Sequence, residues 1–262
     1  MIGEDIHESF NDWSDLRNRI LDCDMKKCSR HHKPGCKRIS VLFDREGIRQ
    51  EKKVMVLISQ DPAVELRKEI DDAEKIEEKL VEDCQRNDFG DKPISPYPNG
   101  RLKEMLQRIF NPRKDPIYWT HSLKCLPKER NPEIGSDWPT AGQYCTNYLR
   151  NELLLLAKEE IVIIAFGRYA INASLSVLGK QQIPPEQRLL DYLTVIRDTT
   201  KSDWDTLTFH WENRTVRLYV FPHPRWESLW GAKKIRKAGL ERFLRTEGDK
   251  VNEEWSRICH QT

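Results

Sequence analysis

The chain has 262 residues, 33% of them charged and 38% hydrophobic, enough for one well-filled domain with added peripheral segments. Lys and Arg number 44 against 42 Asp and Glu, a formal net charge of +2, which excludes a global basic field and confines any nucleic-acid surface to a local patch. No apolar run reaches the length of a membrane span, and the opening MIGEDIHESF has neither a basic n-region nor an apolar h-region. The expectation is a cytoplasmic protein (nuclear in a eukaryote), neither exported nor anchored to a membrane.

Along the chain, Ile6, Phe10, Trp13, Leu16 and Ile20 recur at helical spacing and predict an amphipathic helix over 5–22. A polar stretch with Cys23, Cys28, His31, His32 and Cys36 follows, and its Lys-Pro-Gly marks it as loop. Four apolar runs read as buried strands: Lys53–Ser59, Ile117–Leu123, Glu160–Phe166 and Val216–Phe221. Between them, helical stripes run from Leu66 to Cys84 and from Leu102 to Phe110. Further helices are expected over 139–157, Tyr169–Leu178 and Leu189–Ile196. Segment 204–211 reads as a hairpin strand ahead of the last parallel one, and the tail beyond 231 as helical and basic. Strands alternating with helices predict a three-layer α/β/α domain with a central, mainly parallel four-stranded sheet. The whole of 1–262 is expected to be one domain, with a Cys-rich amino-terminal segment (1–45) and a helical carboxyl tail (231–262).

Parallel sheets bind ligands beyond the carboxyl ends of their strands. The residues there are Ser59-Gln60-Asp61-Pro62, then His121 with Lys124-Cys125, then Gly167-Arg168, and last His223-Pro224. A carboxylate held in a stiff Asp-Pro turn can orient a water or balance a developing cation, and a histidine can hydrogen-bond an anionic leaving group. Together they suit cleavage of a glycosidic-type bond. Each taken singly is also an ordinary turn or helix-cap device.

Seven cysteines, an odd number, argue against a disulfide framework and leave metal ligation or free thiols, Cys84 and Cys259 being the readiest free ones.

The same residues resemble the uracil-DNA glycosylase superfamily. Ser59-Gln60-Asp61-Pro62 is similar to the Gly-Gln-Asp-Pro-Tyr water-activating motif of family 1, and VFPHPRWESL to the second, His-Pro motif with its DNA-inserting loop. YWTHSLKCLP resembles the Tyr-Ile-Thr-Asn-Val-Val-Lys-Cys-Arg-Pro of the iron–sulfur, family 4-like branch, and Gln143-Tyr144-Cys145 with IVIIAFGRYA continues that likeness. The resemblance spans roughly residues 20–245, and the 117–170 block is its most specific part. It implies a uracil-DNA glycosylase-like fold and a monofunctional base-excision hydrolase that flips its base out of DNA.

In that family's terms Asp61 orients the attacking water and His223 stabilises the departing base. Gln60 and His121 contact the base, and Tyr97 stacks on it. Arg225 and Trp226 form the wedge, Trp226 being also readable as a surface aromatic. Lys233 and Lys234, with Arg168 at a helix start, meet DNA phosphates, although basic residues on a helix are commonly just a solvated face. The resemblance further implies a structural [4Fe–4S] cluster on four thiolates: Cys125 and Cys145 as one pair, Cys28 and Cys36 as the other, with Cys23 in reserve. Zinc on Cys28, His31 or His32, and Cys36 is the alternative.

Three departures bear on substrate. His121 replaces the branch's base-reading Asn, and one imidazole nitrogen offers a donor or an acceptor but not both. Ala63 stands where family 1 has the Tyr that blocks the thymine methyl. Asp61 stands where the iron–sulfur class has Gly-Glu-Ala-Pro-Gly. The expected partner is single- or double-stranded DNA, met by a monomer. The alternative is a DNA-binding protein of the same fold whose catalysis is lost through His121.

Overall fold

The computed structural model describes residues 12–23, 28, 37–38, 51–59, 117–126, 134–156, 159–184, 208–221, 249, 251, 253 and 255–257. In chain order these form α1 (Trp13–Leu21), β1 (Lys37–Arg38), β2 (Lys53–Ser59), β3 (Ile117–His121), β4 (Cys125–Leu126), α2 (Ile134–Leu155), β5 (Glu160–Phe166), α3 (Gly167–Val177), β6 (Thr208–Trp211) and β7 (Arg214–Phe221). The helices expected over 66–84, 102–110 and 189–196 lie outside the described residues, as does most of the Cys-rich segment. Of the tail, residues 249, 251, 253 and 255–257 are helical, with Val251 and Trp255 buried.

Among the described residues the sheet has five strands in the order β3-β2-β5-β7-β6, one more than the four-stranded sheet expected, the fifth being the hairpin strand read in 204–211. Its first four are mutually parallel and β6 is antiparallel to β7. The fifth strand exists because Glu212 (φ 48°) and Asn213 (φ 61°) both enter the left-handed region, the two-residue hairpin geometry that matches strand twist. Side chains then fix that hairpin. Arg214 donates to the Leu154 carbonyl near the end of α2 at 3.0 Å, and the Arg150 guanidinium pairs with Glu212.

Alternation along the strands divides the sheet into two buried faces. On one, Val54, Val56 and Ile58 of β2 pair with Ile161, Ile163 and Ala165 of β5, which pair with Val216, Leu218 and Val220 of β7. This face forms one core with Trp13, Leu16 and Ile20 of α1, with Tyr148, Leu149 and Leu153 of α2, and with α3. Leu16 and Ile20 sit one helical turn apart on the inward stripe of α1, whose start is capped by the Asp12 carboxylate accepting from the Asp15 amide at 2.9 Å. The opposite face carries Met55, Leu57, Val162, Ile164, Phe166, Tyr219 and Phe221, also buried.

Boundaries moved where local chemistry overrode apolar pattern. β3 stops at His121 instead of Leu123, its last ladder bond running from the Ser122 amide to the Ser59 carbonyl at 2.8 Å. α2 begins at Ile134, ahead of the expected start near Pro139. α3 begins at Gly167, directly from β5, a junction that the positive φ of this glycine (79°) permits. It ends on Gly179 (φ 66°), with Lys180 N donating to Leu175 O and Gly179 N to Ser176 O, a left-handed cap.

Candidate functional site

Because β2, β3, β5 and β7 are parallel, their carboxyl ends lie along one edge of the sheet. The last residues of these strands form a single cross-strand row. His121 pairs with Ser59, Phe166 pairs with Phe221, and Ser59 and Phe166 each stand one step past the pair Ile58–Ala165. All four are buried and, by alternation, lie on the face away from α1, α2 and α3. The Phe166 and Phe221 rings lie 5.8 Å apart, giving one half of the row an apolar surface while His121 and Ser59 give the other half polar groups.

His121 is the one base-contacting candidate within the described residues. Burial, with a smaller contribution from the positive charge of Lys124, lowers its imidazole to about 3, so the ring is neutral at physiological pH. A neutral imidazole presents one donor and one acceptor nitrogen, the property required to read a base edge. Gln60, Asp61, Tyr97, His223, Arg225, Trp226, Lys233 and Lys234 lie outside the described residues. By covalent connection, Asp61 follows the end of β2 by two residues and His223 follows the end of β7 by two. Arg168, in the first turn of α3, donates to the Pro184 carbonyl at 2.9 Å and so helps hold its own chain's 180–184 segment. Asn172 pins the same segment, accepting from Ile183 N at 2.9 Å and donating to Ile183 O at 3.2 Å.

Behind His121 lies a network that sequence reasoning missed. Lys124 and Glu152 are both buried; Lys124 Nζ reaches Glu152 Oε1 at 2.6 Å and Thr120 Oγ1 at 2.5 Å, and Thr120 Oγ1 donates to Glu152 Oε2 at 2.8 Å. Burial pushes the Glu152 carboxyl up, while Lys124 and Thr120 hold it down. A signal was present in the sequence: in α2, Glu152 falls on the apolar stripe of Cys145, Tyr148, Leu149 and Leu156, where a lone carboxylate has to find a partner.

A second feature lies just past this network. Cys28, Cys125 and Cys145, from three separate segments, are all buried. Burial raises the Cys145 thiol, and the neighbouring Cys125 and Cys28 raise it further. The Lys124 backbone amide, donating to Cys145, and the Lys124 charge oppose this. Cys23 is half-buried beside Tyr148, whose phenol burial and a hydrogen bond with Cys23 hold above its ordinary range. Cys36 lies outside the described residues, but the strand that follows it pairs with the strand of Cys125: Lys37 opposite Leu126, Arg38 opposite Cys125. No three His, Cys, Asp or Glu side chains among the described residues take up single-ion geometry.

Among the described residues no helix is long and apolar enough to cross a membrane. Compared with known proteins, the chain matches no family model and no curated relative.

Proposed function

We propose that the chain is a monofunctional DNA glycosylase that hydrolyses the N-glycosidic bond of uracil or a related deaminated base in DNA. The observation that supports this reading is the common edge of the parallel sheet. The SQDP segment follows the end of β2, His121 closes the neighbouring β3, and the HPRW segment follows the end of β7, one strand further on past β5, so three motifs belong to one edge of the sheet. Both faces of that sheet are buried, as the three-layer α/β/α arrangement of this enzyme class requires.

In the proposed mechanism the target base is extruded from the stack, with Arg225 and Trp226 filling the space it leaves. The neutral His121 reads one polar atom of the base edge, and Gln60 and Tyr97 contact the base and its face. Asp61 orients the attacking water and balances positive charge on the sugar, while His223 donates to the base as negative charge develops on its oxygen. Lys233, Lys234 and Arg168 contact phosphates. No lysine stands in the SQDP or HPRW segment, and Lys124 is buried in its ion pair with Glu152, so no Schiff-base lyase step is included.

The gathered thiols fit a soft-metal centre: buried sulfur donors from separated segments, with a backbone amide directed at one of them. Cys28, Cys36, Cys125 and Cys145 would hold a [4Fe–4S] cluster, with Cys23 the substitute donor. When bound, the cluster supplies a structural cross-link between the amino-terminal segment and the sheet, and no step of hydrolysis passes through it.

The test is release of uracil, hypoxanthine and xanthine from single- and double-stranded oligonucleotides by the wild-type protein and by Asp61→Asn. The expected outcome is release of at least one base, reduced by about 100-fold or more in the variant. Equal release by both proteins would remove Asp61 from the mechanism. DNA binding without release of any base would instead support the binding-protein reading.

A further inference from the structure

The turn from His121 to Lys124 is closed on itself. It opens at Thr120 and shuts at Lys124, and these two side chains meet at 2.5 Å over the carboxylate of Glu152. The Ser122 amide ties the same turn to the end of β2. All three members of the clasp are buried, so water does not compete for their hydrogen bonds. Thr120 lies on the core face and His121, the next residue, on the rim face, so fixing one fixes the direction of the other. The turn also serves the cysteines, since the Lys124 amide donates to Cys145 and Cys125 is the next residue.

We propose that Glu152, acting through Lys124 and Thr120, is a positioning residue that sets the orientation of the His121 ring at the rim and holds the cysteine group in register with it. Glu152 itself lies on α2, on the opposite face of the sheet from the rim row, and its influence passes entirely through the clasp. This inference rests on the reading of His121 as the base-facing residue. A buried ion pair is a poor stabiliser compared with packed apolar groups of similar volume, and its value here is directional. It leaves the turn one arrangement where an apolar contact would permit several.

The experiment compares wild type with the folded double variant Lys124→Met/Glu152→Leu, which leaves no lone buried charge, and with Thr120→Ser and Thr120→Val. The first readout is the side-chain 15N spectrum of His121, identified by its loss in His121→Gln. The second is kcat/KM on the base released fastest by wild type. In the double variant and in Thr120→Val, the His121 ring signals move or broaden, and kcat/KM falls by about 100-fold, the scale of an ångström-level misplacement. The double variant keeps its melting temperature, and Thr120→Ser, which retains the hydroxyl, stays close to wild type in both readouts. A folded double variant with unchanged His121 signals and unchanged kcat/KM would overturn the proposal. If wild type releases no base, the glycosylase reading fails by itself, and the His121 spectrum alone decides whether Glu152 positions the ring.

Discussion

The described residues of α2 carry two ion pairs of opposite character. Toward the core, Glu152 and Lys124 have side chains only 0% and 2% exposed, and a threonine hydroxyl completes the contact. Toward the hairpin, Arg150 pairs with Glu212, their side chains 24% and 41% exposed, with the guanidinium also 6.0 Å from the centre of the Trp211 ring. Removing one partner strands a charge in the first case and releases it to water in the second. The buried pair therefore specifies a geometry, and the exposed pair trims an edge.

The largest effect separating them is expected from Glu152→Gln, which leaves the Lys124 ammonium buried without its counter-charge and loses about 3–5 kcal/mol in urea unfolding. The double variant Lys124→Met/Glu152→Leu recovers that loss. A single variant as stable as wild type would erase the contrast.

Acid pH extends the comparison to the next residue of the cluster. His121 is lowered from 6.5 to about 3 by burial first and Lys124 second. The unfolded chain then takes up a proton that the folded one refuses, so stability falls as pH drops below 6.5. Each pH unit well inside that window removes about 1.4 kcal/mol. Unfolding measured at neutral pH and again two units below the ordinary histidine value should show wild type losing about 2–3 kcal/mol more than His121→Asn. Parallel losses in the two proteins would show that the ring titrates normally.

Arg150→Ala comes next, at about 0.5–1 kcal/mol, most of it from the ring contact and the hairpin anchor. Lys52→Ala is smallest: its pair with Glu159 at 2.9 Å is 73% and 52% exposed, and the change stays within about 0.5 kcal/mol. A loss at Lys52 matching that at Glu152 would show that exposure does not rank these pairs.

The contrast also explains what the sequence disclosed. β2 and β5 were legible to the residue, because a strand buried on both faces writes itself as an unbroken apolar run. The β6 strand was legible as a segment, although its turn, Glu212-Asn213, lacks the glycine that advertises such hairpins. The Lys124–Glu152 pair was not. Two charged residues in separate elements reveal a meeting only when the register is known, and Lys124 in isolation reads as surface. The two-residue pairing of β1 with β4 was equally hidden, being too short to carry a period. At the candidate site, the strand ends themselves could be named in advance, since topology alone puts them on one edge. The row of His121, Ser59, Phe166 and Phe221 needed the register.

The strand order has a further consequence, for the sequence of events in folding. β2 sits between β3 and β5, partners that begin at Ile117 and Glu160, whereas β6 and β7 are joined by two residues and β5 runs straight into α3. Closing long loops precedes any reward from the contacts they permit, so pairings around β2 are slow, while the hairpin and the β5–α3 unit are local and fast. The β5–β7 ladder is non-local as well, joining residues as far apart as Glu160 and Thr215, so every parallel pairing, and with it the row of strand ends, is expected to follow the local units.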